Sequence, residues 1–302
     1  PDRILELGLM YSHQCNIACR HCGIMSGPNV KDRMDISKAK RYIQEAAEIG
    51  LYRKVTFTGG EPFLFPDQVE SLIQLARSLG MSTRAVTNGF WAHSREKGLL
   101  FLQRMKDAGL EEINLSADRF HLEFQKAEIT RNAIECIIEL GFSAIVGFVT
   151  NDMVDPEIQF SELFEIDPDR VVSLHPILSD PDQIVERTKQ GKILLFAGGL
   201  IGMGRAAEYP DDLAYYPVET FFVNESCKEV GNKPVVYPDG EFLACCCAGG
   251  RTLPFSVGNL EESSLADLTR KMLNRSHYGF INNFGPAEFW NAARKYAPGF
   301  KG

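Results

Sequence analysis

The sequence predicts an α/β fold: a partial (β/α)6 TIM-like barrel followed by a C-terminal extension with a hairpin and helices. Three observations support this prediction. Short β-rich apolar runs alternate with amphipathic stretches from Ile4 to about Leu178. Several of these stretches end at a glycine, a residue that commonly closes a helix. Beyond about Tyr209 the alternation stops, and a turn sequence lies between two β-like runs.

Strands and helices alternate in the first part of the chain. The predicted strands are Ile4–Tyr11, Lys54–Thr58, Ser82–Thr87, Glu112–Leu115 and Ser143–Val149, with a sixth in Arg170–Leu178 or Lys192–Gly199. The predicted helices are Ser37–Leu51, Asp67–Leu79, Ser94–Ala108, Lys126–Leu140 and Pro156–Phe164. Because parallel strands need long crossovers, which are usually helices, the alternation predicts a parallel sheet. Functional residues of such barrels gather at the C-terminal ends of the strands.

The second part of the chain is predicted to be a smaller, cysteine-rich module. We place the barrel domain at residues 1–208 and the module at residues 209–302. Pro238-Asp239-Gly240 is a typical turn sequence and predicts a hairpin. The predicted elements of the module are the strands Lys233–Tyr237 and Glu241–Ala244 and the helices Ser264–Asn274 and Pro286–Tyr296.

Composition limits the class of protein. With 302 residues, of which 44% are apolar and 24% charged, the chain has the composition of an ordinary globular protein. Its net charge of −8 gives no overall positive surface for duplex nucleic acid. The longest apolar stretch, Ile193–Met203, contains three glycines and is far shorter than the ~20 residues that cross a bilayer. No secretion signal is recognisable at Pro1-Asp2-Arg3, so we expect no membrane partner and a cytoplasmic location.

Cys15, Cys19 and Cys22 lie within eight residues, directly after the first predicted strand. The chain has eight cysteines, too clustered for a disulfide framework in a protein of this size, and in a reducing compartment such clusters indicate metal sites. A [4Fe–4S] cluster normally takes four thiolates, so three leave one iron open to another ligand. Alternatives are a structural zinc site completed by His13 or His21, and cysteines that only pack in the core.

The C-x3-C-x2-C spacing after the first strand resembles the signature of the radical S-adenosylmethionine (SAM) superfamily. That family usually has an aromatic-type residue before the third cysteine, and His21 occupies this place. The resemblance implies a [4Fe–4S] cluster that transfers one electron to bound SAM. The C–S bond then breaks and gives a 5′-deoxyadenosyl radical, which abstracts hydrogen from a substrate. An external one-electron reductant, such as flavodoxin or ferredoxin, is implied as a partner.

The sequence Gly59-Gly60-Glu61-Pro62 follows the second predicted strand. The superfamily has a Gly-Gly-Glu motif at this place that contacts the methionine amino group of SAM. Glycines let the backbone approach a ligand closely, and Glu61 offers acceptor oxygens to an ammonium group. Outside this context the same residues would form a plain turn.

Further polar residues lie where predicted barrel strands end, and the resemblance places them in the SAM and substrate cavity. They are Asn88, Ser116, Asp118 and His121. The alternatives are a tight turn at Asn88-Gly89 and a solvated loop at Asp118 and His121. Arg205 lies in a Gly-Arg-Ala sequence, which resembles a late-barrel motif whose basic residue meets the carboxylate of SAM.

A second group of cysteines, Cys227 and Cys245-Cys246-Cys247, brackets the predicted hairpin. The segment resembles the SPASM/twitch-like modules of peptide-modifying radical enzymes, which hold an auxiliary [4Fe–4S] cluster. Its candidate ligands are Cys227, Cys245 and Cys247. Neighbouring residues of an extended chain point to opposite faces, so at least one thiol is expected to be free. Four cysteines near a hairpin also suit a structural zinc site, whereas Cys136, in an apolar helix, is predicted to be a core residue.

A further resemblance is to the radical peptide epimerases, which convert L- to D-residues in a ribosomally made precursor peptide. They share a cysteine pair after the Asp-Gly-Glu turn, an Asn-Gly-Phe-Trp segment and an Asp-x-aromatic-His segment. The resemblance implies that a thiol returns hydrogen to the Cα radical: Cys246 by position, with Cys247 as the alternative because three cysteines are consecutive here. The final Cys-x2-Cys of such modules is not in the sequence. Other hypotheses are a peptide cross-linking or thioether-forming enzyme, an enzyme of a sugar or nucleoside, and a non-catalytic metal-binding or electron-transfer protein.

Overall fold

The computed structural model describes residues 4–150, 154–175, 181–208, 227–246, 251, 255–284 and 295. Within these ranges the strands are β1 Leu5–Ser12, β2 Tyr52–Gly59, β3 Ser82–Thr87, β4 Glu112–Ser116, β5 Ala144–Thr150, β6 Val171–Ser173, β7 Ile193–Gly199, β8 Val235–Val236, β9 Glu241–Leu243 and β10 Ser256–Asn259. They form one sheet in the order β10-β9-β8-β1-β2-β3-β4-β5-β7-β6.

The strands β1 to β5 are adjacent in chain order and parallel. Successive side chains of each strand point to opposite faces of the sheet. One face is apolar and fully covered: Leu7, Leu9, Phe57 and Ala85 all have no exposed surface. The predicted α/β fold with a partial parallel barrel is therefore confirmed, and each of its first five strands lies within a few residues of the predicted place.

The helices cover the apolar face of the barrel strands. They are α1 Ile36–Ile49, α2 Pro66–Ser78, α3 Arg95–Ala108, α4 Arg119–Leu122, α5 Ala127–Glu139, α6 Pro156–Phe164, α7 Pro181–Lys189 and α8 Leu265–Leu273. Local sequence explains their ends: Asp35 caps α1 by accepting from two backbone N–H groups, and Gly50 ends it in the left-handed region at φ 73°. The sequence did not predict α4, which is one turn long, or α7, which has few apolar residues.

Both candidate segments for the sixth strand are strands, and their spatial order differs from their order in the chain. β7 pairs with β5 over six residues, and the shorter β6 pairs only with β7. Burial explains this order, because Ile193, Leu194 and Leu195 of β7 have no exposed surface. The three residues of β6 leave the edge of the sheet short.

The predicted hairpin is present and continues the barrel sheet on the other side. β8 pairs parallel to β1, with Gly8 opposite Val235, and β9 and β10 follow antiparallel. A Cβ on Gly8 would lie 3.1 Å from the Val235 side chain, so the glycine permits this close pairing. The division into a barrel domain and a module stays a prediction. The predicted helix Pro286–Tyr296 lies outside the described residues, apart from Lys295.

Buried residues of the barrel helices, the strands and α8 form one main core. In the interior of the barrel, Glu6 of β1, Thr56 of β2 and Arg84 of β3 form a hydrogen-bonded group, with an ion pair between Glu6 and Arg84. Among the helices of the described ranges, none is both long and apolar enough to pass through a membrane.

Candidate functional site

A cavity of about 420 Å³ opens at the C-terminal ends of the parallel strands. Its wall includes residues that follow β1, β2, β3, β4 and β7 and residues in the C-terminal half of β5, which is the edge where the sequence predicted a site. Cys15, Cys19 and Cys22 all line it, together with Gly59 and Gly60. The predicted first cysteine group and the predicted Gly-Gly-Glu motif therefore meet at one place.

The three cysteines lie on one loop, residues 13–27, whose two ends pair with each other. We call it the cysteine loop. Gln14 and Gly27 form a β-bridge, and the backbone N–H of Cys15 donates to the oxygen of Gly27 at 3.2 Å. Cys15 and Cys19 are buried, and Cys22 is half-buried. One short closed loop therefore presents three thiols to a single cavity.

The environment of Cys15 shows what the loop can hold. Burial raises the pKa of the Cys15 thiol to about 12, although the Ile17 backbone N–H favours the thiolate. A buried thiol of this kind becomes a thiolate when a metal ion takes its proton's place. Asn88 Nδ2 lies 3.7 Å from Cys15 Sγ as a hydrogen-bond donor, a contact that stabilises negative charge on sulfur. The chemistry of this donor set fits an iron–sulfur cluster.

Gly59 and Gly60 bring the end of β2 against the cysteine loop. The N–H of Gly60 donates to the oxygen of Ser12 at 2.7 Å, and that of Glu61 donates to the oxygen of Gln14 at 2.9 Å. A Cβ on Gly60 would lie 2.5 Å from the carbonyl carbon of Gln14, and Gly59 adopts φ 139°. We expected these glycines to admit a ligand. The structure shows that the lack of side chains at Gly59 and Gly60 also makes room for the backbone of the cysteine loop.

Glu61 ties the ends of two strands together. It is 1% exposed and is not among the cavity-lining residues that the structure describes. Its carboxylate accepts from the Phe63 N–H at 3.0 Å, the Thr87 hydroxyl at 2.9 Å and the Asn88 N–H at 2.8 Å. Burial raises the pKa of Glu61 to about 7, and these hydrogen bonds oppose the rise. Pro62 follows, buried, in a 3-10 turn.

Asn88 joins the end of β3 to the cysteine loop. Its Nδ2 donates to Asn16 Oδ1 at 2.8 Å, and its Oδ1 accepts from the Phe90 N–H at 3.0 Å. Trp91, the last residue of the Asn-Gly-Phe-Trp segment, is 6% exposed, and its Nε1 donates to the Thr87 hydroxyl at 3.1 Å. Asn88 therefore lines the cavity, whereas Trp91 packs in the core.

Asp118 holds two histidine rings in the cavity wall. It is 1% exposed, and it accepts from His121 Nδ1 at 2.8 Å and faces His21 Nε2 at 3.3 Å. The charges of the histidines lower the pKa of Asp118 against the effect of its burial, and Asp118 in turn raises the pKa of His121. His21 stacks on Phe120 with ring centres 4.6 Å apart. The alternative of a solvated loop for Asp118 and His121 is thus wrong.

Ser116 lines the cavity at the end of β4, as predicted from its position. Arg205 also lines it, but two of its guanidinium nitrogens donate to backbone oxygens of the cysteine loop. The sequence reasoning missed Ser26, which is 2% exposed and lines the cavity, and whose hydroxyl has no hydrogen-bond partner among the described residues. Its position four residues after Cys22 was the one feature of the sequence that could have indicated a place at the cavity.

The second cysteine group lies beside the hairpin. Cys245 is buried, Cys246 is exposed, and Cys247 is outside the described residues. Asn282 Nδ2 donates to the oxygens of Cys227, Lys228 and Val230 at 3.0–3.2 Å, and the Gly231 N–H donates to the oxygen of Ala244 at 2.7 Å. The turn after Cys227 thus lies against the chain that enters Cys245. In the described parts of the chain, none of these cysteines lines the cavity. Cys136 is buried in the main core.

Comparison with known proteins agrees with this geometry. The family model described as the Radical SAM superfamily matches residues 9–157, a range that contains the cysteine loop, Gly59–Glu61 and Asp118. The crystal structure of BtrN in complex with AdoMet and 2-DOIA has a TM-score of 0.52, with 12% identity over 95% of this chain and 89% of that one. At this identity the likeness shows the fold.

Two curated relatives match part of the barrel. "Putative peptide biosynthesis protein YydG" of Bacillus subtilis (strain 168) is 27% identical over 122 residues, which are 40% of this chain and 38% of that protein. PqqA peptide cyclase of Xanthomonas oryzae pv. oryzae (strain MAFF 311018) is 33% identical over 116 residues, which are 37% of this chain and 28% of that protein. In both cases the match covers well under half of the relative's length.

Proposed function

Because this chain belongs to the Radical SAM superfamily through residues 9–157, we propose that it is an enzyme that cleaves SAM and abstracts hydrogen from a peptide. The observation that carries the proposal is the single cavity at the strand ends, which three cysteines of one closed loop share with Gly59 and Gly60. The cofactors of the family are a [4Fe–4S] cluster and SAM. When bound, they supply the 5′-deoxyadenosyl radical.

The chain's own residues build the site for these cofactors. Cys15, Cys19 and Cys22 would hold the cluster, and their count leaves one iron for SAM. The backbone of Gly59 and Gly60 lines the cavity, and its carbonyl groups are acceptors for an ammonium group. Glu61 supports this wall from behind, because its oxygens already accept hydrogen bonds from the protein.

Polar side chains of the wall would meet the nucleotide. In the part of the chain that the structure describes, His21 Nδ1 is buried without a hydrogen-bond partner, as is Ser26 Oγ, and both residues line the cavity. A buried polar atom without a partner in the protein is expected to find one in a ligand or in water. Asn88, Ser116, Asp118, His121 and Arg205 complete this wall.

A peptide substrate is supported by the relatives, which are a peptide biosynthesis protein and a peptide cyclase by name. The reaction that we propose is epimerisation of an L-residue. The deoxyadenosyl radical takes a hydrogen atom from Cα, and a cysteine thiol returns a hydrogen atom to the opposite face. The thiyl radical left on sulfur then needs one electron and one proton, which an external reductant such as flavodoxin or ferredoxin and water supply.

The thiol assigned to this step is Cys246, with Cys247 as the alternative. Cys245 is buried and Cys246 exposed, as expected for neighbours on an extended chain, so they cannot both serve the same site. Cys227, Cys245 and Cys247 are the proposed ligands of an auxiliary [4Fe–4S] cluster. The hydrogen bond from the Gly231 N–H, in the turn after Cys227, to the oxygen of Ala244, directly before Cys245, supports this assignment.

Iron analysis tests the cluster assignment. After anaerobic reconstitution we expect about eight iron atoms per chain, falling to about four in the triple variant Cys15→Ala/Cys19→Ala/Cys22→Ala. The matched control is Cys136→Ala, which removes a buried thiol away from the cavity and should keep all iron. Iron that is unaffected by the triple change would refute the proposal. About four atoms falling to none would refute the auxiliary cluster alone.

Labelling tests the reaction. With SAM, dithionite and synthetic L-peptides in D2O, epimerisation incorporates one deuterium at Cα, and Cys246→Ala should abolish this while 5′-deoxyadenosine still forms. The name of the PqqA peptide cyclase supports a second candidate, bond formation within a peptide. That reaction gives a product two hydrogens lighter and without deuterium at Cα. A protein that forms no 5′-deoxyadenosine under any of these conditions is not a radical enzyme.

A further inference from the structure

The segment after β7 also contacts the cysteine loop, at residues other than those that Gly59 and Gly60 contact. Three donors of Arg205 serve it: the backbone N–H donates to the oxygen of Cys22 at 3.1 Å, Nε to that of Cys19 at 2.9 Å and Nη2 to that of Ser26 at 2.6 Å. These three carbonyl groups span the part of the loop that carries its second and third cysteines. A planar guanidinium suits this task, because its donors are fixed relative to one another.

Gly204 makes this contact sterically feasible. It adopts φ 58°, and a Cβ there would lie 2.5 Å from the oxygen of Gly23 and closer still to that of Cys22. The chain after β7 thus packs backbone against backbone with the loop. Ala206, two residues after Gly204, has no exposed surface and belongs to a small core that includes Cys15 and Cys19. The contact is therefore part of a packed unit.

The charge of Arg205 is not used for an ion pair within the described residues. Carbonyl oxygens attract the guanidinium, but they do not neutralise it. A positive charge close to an iron–sulfur cluster stabilises the reduced form, which carries one more negative charge. The same residue thus has the means to hold the loop and to raise the reduction potential of a cluster bound there.

We propose that Arg205 is a positioning residue, which fixes residues 19–26 of the cysteine loop and sets the reduction potential of its cluster. This inference rests on the proposed function. The predicted contact between Arg205 and the carboxylate of SAM stays a prediction. It also gives the Ser26 hydroxyl its place in the cavity, because Arg205 Nη2 holds the carbonyl oxygen of the same residue.

The test compares Arg205→Gln and Arg205→Lys with wild type, always in the absence of SAM. Two quantities are measured on reconstituted protein: the rate at which the chelator bathophenanthroline removes iron, and the midpoint potential from a redox titration followed by electron paramagnetic resonance. We expect Arg205→Gln to lose iron at least about tenfold faster. Its reduction equilibrium should shift about tenfold toward the oxidised form, which is 59 mV for one electron. Arg205→Lys keeps the charge, so its potential should stay near wild type while iron loss is intermediate.

The matched control is Arg131→Gln. Arg131 also donates to a backbone oxygen, that of Phe164, but it lies on α5 and does not line the cavity. It should leave both quantities unchanged. If Arg205→Gln keeps both the iron-release rate and the midpoint potential at wild-type values, the inference is wrong. If Arg205→Gln does not fold, the iron-release rate of Arg205→Lys decides, and a wild-type rate would refute the inference. Wild type that binds no iron through Cys15, Cys19 and Cys22 would instead refute the proposed function.

Discussion

Gly60→Ala is expected to displace the cysteine loop and weaken its hold on iron. A Cβ on Gly60 would lie 2.5 Å from the carbonyl carbon of Gln14 and 2.8 Å from the oxygen of His13, and closer still to the oxygen of Gln14. These are backbone atoms, so no side chain can turn away to make room. The loop must therefore retreat by about 1 Å or more to reach van der Waals distances. The displaced residues directly precede Cys15.

Overpacking of this kind costs about 1–3 kcal/mol. Because the strain is relieved when the loop opens, and each 1.4 kcal/mol is a factor of ten, chelators should remove iron about 5 to 150 times faster. The free energy of unfolding of the iron-free protein should fall by the same ~1–3 kcal/mol, because the loop and β2 also meet without the cluster.

The assay follows iron transfer to bathophenanthroline by absorbance, and urea unfolding of the iron-free protein gives its stability. Gly279→Ala is the control, since an added Cβ there meets no atom within 4 Å. It should leave the iron-release rate unchanged and should not destabilise the chain. A Gly60→Ala protein with wild-type stability and iron-release rate would show that the loop gives way freely, and the steric argument would be refuted.

Three further predictions concern stability. Glu61→Gln replaces an accepting oxygen by an amide nitrogen, so urea titration should show a loss of about 1–3 kcal/mol, and an unchanged midpoint would contradict the buried network. Arg84→Met leaves the Glu6 carboxylate, 12% exposed, without its cation. We expect the free energy of unfolding to fall by up to about 3 kcal/mol and to be largely restored when Glu6→Gln is added. Additive effects of the two changes would argue against the pairing. Burial alone would raise the pKa of Asp239, but hydrogen bonds from Arg251 and a backbone N–H lower it. A lowered folded-state pKa stabilises the protein above the unfolded-state pKa, and this stabilisation is lost as pH falls through the folded-state pKa. Asp239→Asn should therefore destabilise the protein at about pH 7, and its difference from wild type should disappear as pH falls through that lowered pKa. A pH-independent difference would contradict that assignment.

The sequence was sufficient for the barrel because its signals are local. Asp35 and Gly50 mark the ends of α1, and the apolar residues of each strand alternate or run together. The order of the last two parallel strands was not predictable in this way. Whether β7 or β6 lies beside β5 depends on which strand can cover more apolar surface, and that is a property of the assembled sheet.

Motif reasoning located the site but not the contacts of its members. Gly59, Gly60 and Glu61 were predicted from one short sequence, and they do meet the cysteine loop. The contacts of Gly59, Gly60 and Glu61 depend on the cysteine loop, which follows another strand about 45 residues earlier in the chain. No local sequence pattern shows that these two segments meet. Ser26 was missed for the same reason, since a lone serine in a loop carries no periodic signal.

Glu61 and Arg205, two charged residues of the predicted motifs, thus form hydrogen bonds within the protein. Other groups of the cavity wall are therefore expected to recognise the ligand. Glu61 holds β2 to β3, and Arg205 holds the chain after β7 to the cysteine loop. Both charged groups already have hydrogen-bond partners in the protein. The buried polar atoms without partners at the cavity are His21 Nδ1 and Ser26 Oγ, as far as the structure describes its wall, and both lie on the cysteine loop. The same loop would therefore hold the cluster and contact the nucleotide, so a change that shifts the loop, such as Gly60→Ala, should impair iron binding and SAM binding together. Changes of Ser26 should impair SAM binding alone.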